Sequence, residues 1–524
     1  MMLNDDKTTA NALRMSILDG AFATMMGSLC GGIFLIGFAL NVLDATPIQV
    51  GILAALPVSA NMVQIFGSIL IERFGHRRIF CIFCVTVARL FWIPILLLPL
   101  PLFGDLGDAR IWLLVVFVGL SCFVGSLSGV AWLSWMSDVI PAETRGAFFG
   151  KRNMICAAAG MVVILLGGAF LNYRENVHGK DDPHAYVILF ATGLVLGLIA
   201  SYFIMRVPDP KAGPAHSANR QAFSWAALAA PFRESNFRRL IVYVGLFMFV
   251  TQMAGPFYAV YMLDTLEVDF GTITWLITFA TLASLFMLRI WGPIADQLGN
   301  KPILMVAGLA HAGIPLIWVV SQGPAYLQAL ILAHVLSGGI FCAIVLAHVN
   351  ILIKLSPETG RSFYIAAFNT SIGLAVGIAP IVGGILLELL QPVRIEVGDW
   401  TLDNLQLLFL LSGTLQILIL AVLAGVRETG AQSSRAVVLQ LKNDLDPQTG
   451  LASATDFLTV RAGKTSRLLQ NFNARTDDWA ARSEAFLARR LDRVLERFQR
   501  PWESQPTEPS SSESQNVSGY ERKS

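Results

Sequence analysis

The sequence predicts an all-α polytopic membrane protein with twelve transmembrane helices in two pseudo-symmetric six-helix bundles, followed by a soluble C-terminal tail. Three observations lead to this fold class: a low charge content, twelve long apolar runs, and charged phrases that recur in the second half of the chain. Only 14% of the 524 residues are charged and the mean hydropathy is +0.61, whereas soluble domains carry about 25% charged residues. A composition with so few charged residues is typical of a chain that crosses a membrane many times.

Twelve apolar runs are each long enough to cross a bilayer as a helix. They lack the two-residue alternation of barrel strands, and a helix satisfies its backbone groups within its own segment. We therefore predict twelve spans, numbered in chain order, and name each join after the span that it follows. The spans cover approximately residues 16–43, 47–71, 78–100, 110–136, 146–171, 185–206, 238–263, 269–294, 301–320, 325–353, 362–388 and 403–426.

Positive residues lie mainly in the even-numbered joins and at the start of the chain. Arg77, Arg145, Arg238 and Arg361 are examples from even joins, whereas the odd joins carry few cations. Cytoplasmic loops of membrane proteins carry such an excess of Lys and Arg. The pattern predicts that both termini and all even joins are cytoplasmic. We expect a multi-pass protein of a plasma membrane, with a bacterial inner membrane as its setting.

A short charged phrase occurs twice, in joins 2 and 8, and its two acids are 224 residues apart. In each copy a glycine follows the acid by three residues, and at least one cation follows the glycine. A glycine in so short a join is free to take a positive φ. The first copy comprises Ser68, Glu72, Arg73, Gly75, Arg77 and Arg78, and the second comprises Gly292, Asp296, Gly299 and Lys301.

A second pair of phrases supports an internal duplication. Pro141 and Arg145 in join 4 have the same spacing as Pro357 and Arg361 in join 10, and the two arginines are 216 residues apart. Two repeats in nearly the same register are much less expected by chance than one. Four domains are predicted. They are an N-terminal bundle at residues 1–206, a cytoplasmic linker at 207–237, a C-terminal bundle at 238–426 and a cytoplasmic tail at 427–524.

The tail contains a further predicted element at about residues 476–500. Apolar residues there recur at helical spacing on one side and arginines occupy much of the rest, which predicts a basic amphipathic helix. Such a helix can lie on anionic lipid headgroups, dock on the protein's own cytosolic face, or pair with another copy. The serine-, glutamate- and proline-rich end that follows predicts disorder.

Twelve spans in two halves, with the charged phrase between spans 2 and 3 and again between spans 8 and 9, resemble the major facilitator superfamily of secondary transporters. The superfamily pattern at this place is Gly, three residues, Asp, a cation, any residue, Gly, any residue and two cations. This chain departs from the pattern at Ser68, Glu72 and Gln297. The resemblance covers about residues 14–427 and implies that the two halves rock about a central site.

The resemblance also implies a cytosolic latch that holds the halves together when the cavity opens outward. In the superfamily the first-half acid, here Glu72, meets the start of span 11, which in this chain lies near Arg361. The adjacent arginine, here Arg73, pairs with an acid at the end of span 4, where this chain has Asp138. The alternative is that these cations only enforce topology.

Spans 1, 4, 7 and 10 line the central cavity in this superfamily, and polar or aromatic side chains near the midplane are candidate substrate contacts. Trp132 and Trp135 in span 4 share one face, as cavity residues or as interfacial anchors. Span 7 offers Gln252 and Tyr258. Span 10 offers His334, either as a proton carrier or as a group that hydrogen-bonds between helices.

Charged residues inside the spans are few and therefore informative. An isolated arginine at the bilayer centre costs several kcal/mol, so Arg89 and Arg289 must face protein or water, as ligands for an anionic group or as structural partners. Asp19 is the acid best placed for proton coupling, because the other acids lie near span ends. The buried positive balance mildly favours an anionic or zwitterionic substrate.

The sequence therefore predicts a secondary active transporter that moves a small solute by alternating access, with the lipid bilayer and that solute as partners and a proton as candidate coupling ion. Two alternatives stay open: an efflux permease for small amphipathic compounds, and a non-transporting sensor or pigment-delivery factor of similar fold. No catalytic triad, metal-ligand spacing or phosphate loop is visible, so we expect no enzyme activity, cofactor, metal or nucleic-acid partner. Cys81 and Cys84 have CxxC spacing without a second pair, which favours packing over metal binding.

Overall fold

The computed structural model describes residues 2–64, 76–99, 106–140, 145–180, 182–208, 225–357, 361–397 and 400–445. Residues 1–441 form one compact unit, and residues 442–524 form a second unit that is described only as far as Leu445. The first copy of the charged phrase up to Gly75, most of the predicted linker and the predicted tail helix at 476–500 lie outside the described residues.

The N-terminal half consists of six spans, three of which are interrupted or composite. Span 1 is broken between two helices, the described part of span 2 includes a 3₁₀ turn, and span 3 is interrupted near its end. In chain order the helices are Met2–Cys30 and Gly32–Asn41, Pro47–Ser59 with the 3₁₀ turn Ala60–Val63, Arg77–Leu90 and Trp92–Leu97, Ala109–Val139, Arg145–His178, and Pro183–Met205.

The C-terminal half repeats this plan after a short helix within the predicted linker. Span 7 is broken and ends in a π-helical turn, and a two-stranded antiparallel hairpin lies between spans 11 and 12. The linker helix is Trp225–Arg233. The spans are Ser235–Ala254, Phe257–Val260 and Tyr261–Thr265 (span 7), Phe270–Leu298 (span 8), Asn300–Ala312 and Ile314–Val319 (span 9), Gly323–Ala325 and Tyr326–Leu355 (span 10), Arg361–Leu390 (span 11) and Asn404–Ala424 (span 12). The hairpin strands are Ile395–Val397 and Trp400–Leu402, and a last helix is Ser434–Leu445.

Eleven helices of the described chain are long and apolar enough to cross a membrane. The remaining predicted span is seen as the shorter apolar helix Pro47–Val63, and its expected continuation to residue 71 lies outside the described residues. The predicted all-helical membrane fold is therefore confirmed. Several spans begin, on the side of the odd joins, with a side-chain cap. The side chains of Thr46, Asp182 and Asp269 accept from backbone N–H groups of the first helical turn, and the Gln406 side chain accepts from the backbone N–H of Asp403. These bonds satisfy backbone N–H groups that have no partner in the helix.

The two halves have the same internal packing, as the repeated phrases predicted. In the first half, span 1 packs on spans 5 and 6, span 4 on spans 2 and 3, and span 3 on span 6. In the second half, span 7 packs on spans 11 and 12, span 10 on spans 8 and 9, and span 9 on span 12. Between the halves, span 2 packs on span 11 and span 5 on span 8. These contacts place spans 1 and 7 at equivalent positions.

Glycines allow the halves to approach closely on the side of the odd joins. A Cβ atom on Gly51 would collide with the carbonyl oxygen of Pro380. A Cβ atom on Gly384 would lie 2.6 Å from the carbonyl oxygen of Pro47. Gly168 of span 5 is likewise closed in by Thr274 of span 8. Small residues at helix crossings permit such backbone contact in membranes. The two halves are therefore packed tightly together on this side.

Candidate functional site

A cavity of about 360 Å³ lies between span 1 and the C-terminal half. It forms where two equivalent spans are broken: span 1 at Gly31 and Gly32, and span 7 at Gly255 and Pro256. Gly32 has a φ of +54°, which a residue with a side chain rarely adopts, and Pro256 has no N–H to continue the helix. Non-helical backbone at membrane depth is tolerated where it lines a cavity, and paired breaks of this kind mark binding sites in transporters.

A chain of hydrogen bonds runs along one wall of this cavity. The Nδ1–H of His311 donates to Oε1 of Gln416 at 2.7 Å, and the amide of Gln416 donates to the Ser412 hydroxyl at 3.2 Å. The Ser412 hydroxyl in turn donates to the carbonyl oxygen of Val250 at 3.0 Å. These bonds fix the orientation of the imidazole and the amide, so the wall is preorganised.

Aromatic rings form a second wall. The Tyr258 ring lies 4.5 Å from Trp318 and 4.5 Å from Phe409, between centroids. The His334 ring lies 5.5 Å from Trp318, and its Nδ1–H donates to the carbonyl oxygen of Leu330 at 2.9 Å. Such ring pairs hold each other in place, so the wall presents a rigid apolar surface with nitrogen and hydroxyl groups at its edges.

A charge cluster lies in the N-terminal half, separate from this cavity. The guanidinium of Arg89 lies 3.7 Å from Oδ1 of Asp19 and donates to the Ser201 hydroxyl. Arg152 donates from Nε to the carbonyl oxygen of Ser16 at 3.2 Å and lies against Gly20, next to Asp19. Asp19 and Arg89 are 4% and 8% exposed. One buried carboxylate therefore balances one guanidinium and lies beside a second.

Arg89 also borders a second cavity of about 280 Å³ among spans 1, 3 and 4. Its lining is otherwise apolar or weakly polar, with Cys30, Trp92 and Ser121 among its residues. Because Arg89 is bound to Asp19 and Ser201, it is a structural partner as well as a cavity residue.

The second copy of the charged phrase is a turn between spans 8 and 9. Gly299 has a φ of +91°, as a short join requires. Asp296 is exposed at the end of span 8, and a different acid, Glu428, lies at the start of span 9. Its carboxylate accepts from the backbone N–H of Asn300 at 2.9 Å and of Lys301 at 2.6 Å.

Glu428 follows span 12 and ties three elements together. It accepts a hydrogen bond from the Lys354 ammonium of span 10 at 3.0 Å, and its side chain is 0% exposed. Burial alone would raise the pKa of Glu428, but the backbone N–H of Lys301, the Lys354 ammonium and the Asn300 groups together hold it below its usual range. An anion at a helix N-terminus is favoured by the exposed N–H groups there.

The segment after Glu428 stays on the same face. The backbone N–H of Gln432 donates to the carbonyl oxygen of Leu298 at 2.9 Å. In the helix Ser434–Leu445, Val437 is fully buried in the core of the C-terminal half and Leu441 packs against that core. The beginning of the predicted tail therefore docks on the C-terminal half.

The structure places six of the eight predicted pathway residues in three groups. Gln252, Tyr258 and His334 line the cavity between span 1 and the C-terminal half. Asp19 and Arg89 pair in the first half, and Arg289 is exposed on span 8 and is not among the described residues that line this cavity.

The two tryptophans of span 4 differ. Trp135 is 1% exposed in a core cluster, where its Nε1–H donates to the carbonyl oxygen of Pro208 at 3.2 Å. Trp132 lies under the guanidinium of Arg152, with Cζ 4.5 Å from the ring centroid. Neither is among the described residues lining the two cavities.

Most of the predicted latch lies outside the described part of the chain. Ser68, Glu72, Arg73 and Gly75 are not described, and neither are the side chains of Asp138, Arg145 and Arg361. Arg78 donates to the carbonyl oxygen of Met205 at 2.6 Å, which joins the start of span 3 to the end of span 6.

Sequence reasoning missed several residues of the cavity and the turn. Trp318 and Gln416 lie in spans 9 and 12, which the superfamily pattern does not place at the cavity. The signal for Gln416 was present, because Ser412 and Gln416 are polar residues one turn apart in a largely apolar span. Glu428 could have been found as an acid directly after span 12, next to Arg427.

Comparison with known proteins identifies the family. The model of the Major Facilitator Superfamily matches residues 17–253 and 240–443. A probable actinorhodin transporter of Streptomyces coelicolor is 27% identical over 118 residues, which are 22% of this chain and 20% of that protein. Protein SGE1 of Saccharomyces cerevisiae is 30% identical over 120 residues, 23% of this chain and 22% of that protein. The matches span about a fifth of these relatives.

Solved structures share the fold at low identity. The nucleoside transporter NupG has a TM-score of 0.58 at 13% identity and covers 79% of this chain and 98% of its own. A bacterial homologue of the lysosomal transporter Spinster has a TM-score of 0.57 at 15% identity, covering 83% and 98%. The xylose transporter XylE of E. coli has a TM-score of 0.56 at 13% identity, covering 83% and 99%. The family match over both halves, with the duplicated six-span packing, shows that this chain belongs to the Major Facilitator Superfamily.

Proposed function

We propose that this protein is a secondary transporter that moves a small solute across a membrane by alternating access. The observation that carries the proposal is the pair of breaks in spans 1 and 7, at equivalent places in the two halves and on the same cavity. Packing between the halves at Gly51 and Pro380 supports a closed arrangement on the side of the odd joins. Transport then requires that this packing open while the opposite side closes.

The proposal includes the orientation and the domain bounds that the sequence predicts. The even joins and both termini face the cytoplasm, most simply across a bacterial inner membrane. The N-terminal bundle at 1–206 and the C-terminal bundle at 238–426 are the rocking bodies. The charged turns of joins 2 and 8 latch the cytosolic side, with Glu428 as an additional acid on the second turn.

The described walls of the cavity support a proposal for the class of substrate. The expectation of an anionic or zwitterionic solute rested on Arg89 and Arg289, but Arg89 is paired with Asp19 and Arg289 lies away from the cavity. The cavity between span 1 and the C-terminal half therefore favours the alternative, a small amphipathic compound. One of the relatives matched over a fifth of its length is named as a transporter of actinorhodin.

We propose Asp19 as the group at which a proton is coupled to transport. It is a buried acid, and its partners are Arg89 and the neighbouring Arg152. Protonation of Asp19 would free Arg89, so the charge cluster is the natural place for a proton to alter the packing of spans 1, 3 and 6.

A cross-linking experiment tests alternating access. Lys180 in join 5 and Glu267 in join 7 lie on opposite halves, with Nζ and Oε2 3.8 Å apart, and both are exposed. In proteoliposomes, a short bis-methanethiosulfonate, which joins two thiols through disulfide bonds, should abolish uptake by the Lys180→Cys, Glu267→Cys double variant, and reduction should restore it. Each single variant serves as control.

The screen for uptake uses sugars, nucleosides, organic acids and aromatic amphipathic compounds, with and without a pH gradient. Protein-dependent uptake that the cross-link leaves unchanged would exclude alternating access. A complete absence of protein-dependent movement for every class would instead support the sensor or delivery alternative.

A further inference from the structure

The cavity between span 1 and the C-terminal half combines an apolar surface with a few polar groups. Among the described residues that line it, none is Asp, Glu, Lys or Arg. A charged ligand would lose its hydration here without gaining an opposite charge, at a cost of several kcal/mol or more. The buried charges of the first half, Asp19 and Arg89, are already engaged with each other. The walls therefore select an uncharged ligand.

Three polar groups of the described walls are available to accept hydrogen bonds from a ligand. The Nδ1–H of His311 donates to Oε1 of Gln416, and the Nδ1–H of His334 donates to the carbonyl oxygen of Leu330. In a neutral imidazole whose Nδ1 carries the proton, Nε2 is an acceptor. The hydroxyl oxygen of Thr251, on the same cavity, is buried and has no hydrogen-bond partner among the described residues. A ligand that presents hydrogen-bond donors at its edge satisfies these groups.

The apolar part of the walls suits a flat ring. Tyr258 and Trp318 are inclined by only 31° at a centroid distance of 4.5 Å, and His334 adjoins Trp318. Ile33 and Ile36 of span 1 line the cavity as well. Aromatic walls bind conjugated rings by offset or edge-to-face contacts in addition to burying their area. The volume of about 360 Å³ is in the range of small-molecule sites.

We infer that this cavity binds an uncharged compound that carries a flat conjugated ring with hydrogen-bond donors at its edge. The inference rests on the proposed function, since it names the substrate class of the same cavity. The break at Gly32 adds to it, because the first N–H groups of the new helix have no partner within that helix and can bind ring carbonyl or hydroxyl oxygens.

Matched probes test the charge and the flatness separately. Uridine is compared with uridine monophosphate, and 1,8-dihydroxyanthraquinone with its 3-carboxylate, so that each pair shares a ring and its hydroxyl groups and differs in charge. Xylose is the uncharged probe without a flat ring. Binding to the purified full-length protein in detergent is measured by ligand-dependent thermal shift and by equilibrium dialysis.

The neutral member of at least one pair should bind at least tenfold more tightly than its anionic partner and than xylose. Trp318→Leu and Gln252→Leu should each weaken that binding at least fivefold. Trp275→Leu is the matched control, since Trp275 is 54% exposed on span 8. Because Trp318 is part of the packed wall, Gln252→Leu keeps the test decisive if Trp318→Leu does not fold.

Equal or tighter binding of the anionic partners, equal binding of xylose, or no binding of either neutral probe would overturn the assignment. Combined with the uptake screen, the binding test distinguishes failure of this ligand assignment from failure of the proposed transporter function. Protein-dependent uptake of another solute without binding of the flat probes would remove the substrate class alone. Binding of the flat probes without uptake of any solute would remove the transporter.

Discussion

The carboxylate of Glu428 accepts the backbone N–H of Lys301 at 2.6 Å, which joins the segment after span 12 to the second copy of the charged phrase. The same carboxylate accepts from Lys354 and from two nitrogens of Asn300. One buried acid thus holds the turn between spans 8 and 9, the end of span 10 and the start of the tail in one arrangement.

Replacing Glu428 by Gln should destabilise the protein by about 2 kcal/mol, because charge-assisted hydrogen bonds to a buried carboxylate are worth about 1.5–3 kcal/mol. Thermal unfolding in detergent measures the change. Glu396→Gln is the control, since Glu396 is exposed in join 11. An equal melting temperature for Glu428→Gln and wild type would show that the carboxylate does not hold the turn.

The same pair predicts a pH dependence. The pKa of Glu428 is held below its usual range, so its ionised form adds stability above the ordinary glutamate pKa of about 4.3. That contribution is lost as the pH falls from there through the lowered pKa. Wild type should therefore lose more stability than Glu428→Gln between neutral pH and about pH 3, as followed by unfolding at each pH. Parallel curves would contradict the prediction.

The contact between spans 2 and 11 predicts the effect of adding a single methyl group. Gly51→Ala places a Cβ against the carbonyl oxygen of Pro380, so the halves must separate on the side of the odd joins. Transport should fall at least tenfold, and an introduced cysteine near Pro47 should react faster with a membrane-impermeant thiol reagent. The control is Gly150→Ala in span 5, where a Cβ meets nothing within 4 Å. Unchanged reactivity in Gly51→Ala would mean that this contact does not close the protein.

The architecture could be predicted from the sequence because each span is recognisable by its hydrophobicity, and the cations and repeated phrases mark the joins. Seven of the predicted spans and the described part of span 2 need only end adjustments. Spans 1, 3, 7 and 9 are interrupted, and span 1 also extends back to Met2. The site was harder to predict. Gln252, Tyr258 and His334 were found because superfamily resemblance points to spans 7 and 10. Trp318 lies beyond the break of span 9 at Gly313, which no local pattern specifies, whereas Gln416 of the unbroken span 12 had only the polar pair with Ser412 as its signal.

The breaks at Gly32 and Pro256 illustrate the limit in physical terms. Glycine and proline weaken a helix anywhere, and this chain has many of each inside its spans. Pro380 leaves span 11 as one uninterrupted helix, whereas Pro256 separates two helices in span 7. Which of them interrupts the helix is decided by packing against the opposite half, and that information is not local.

The charge cluster of the first half predicts unequal effects for its members. Asp19→Asn leaves Arg89 and the nearby Arg152 without a carboxylate, whereas Arg89→Leu leaves Asp19 with Arg152. Breaking a buried pair costs about 3–5 kcal/mol, so Asp19→Asn should reach this range and Arg89→Leu should cost less. The double variant should be more stable than the sum of the single effects predicts, as thermal unfolding would show. Arg289→Leu, at an exposed position, is the control; additive effects would mean that the two residues do not interact.

His348 of span 10 predicts a stabilising substitution. Its side chain is 2% exposed among Tyr243, Phe247 and Phe368, and neither ring nitrogen has a hydrogen-bond partner among the described residues. A buried polar group without a partner costs about 1–3 kcal/mol, so His348→Leu should raise the melting temperature by a few degrees. His334→Leu, which removes a group that donates to Leu330, should not raise it. A loss of transport in His348→Leu at unchanged or higher stability would show that the imidazole is retained for function, since packing alone gives no reason to keep it.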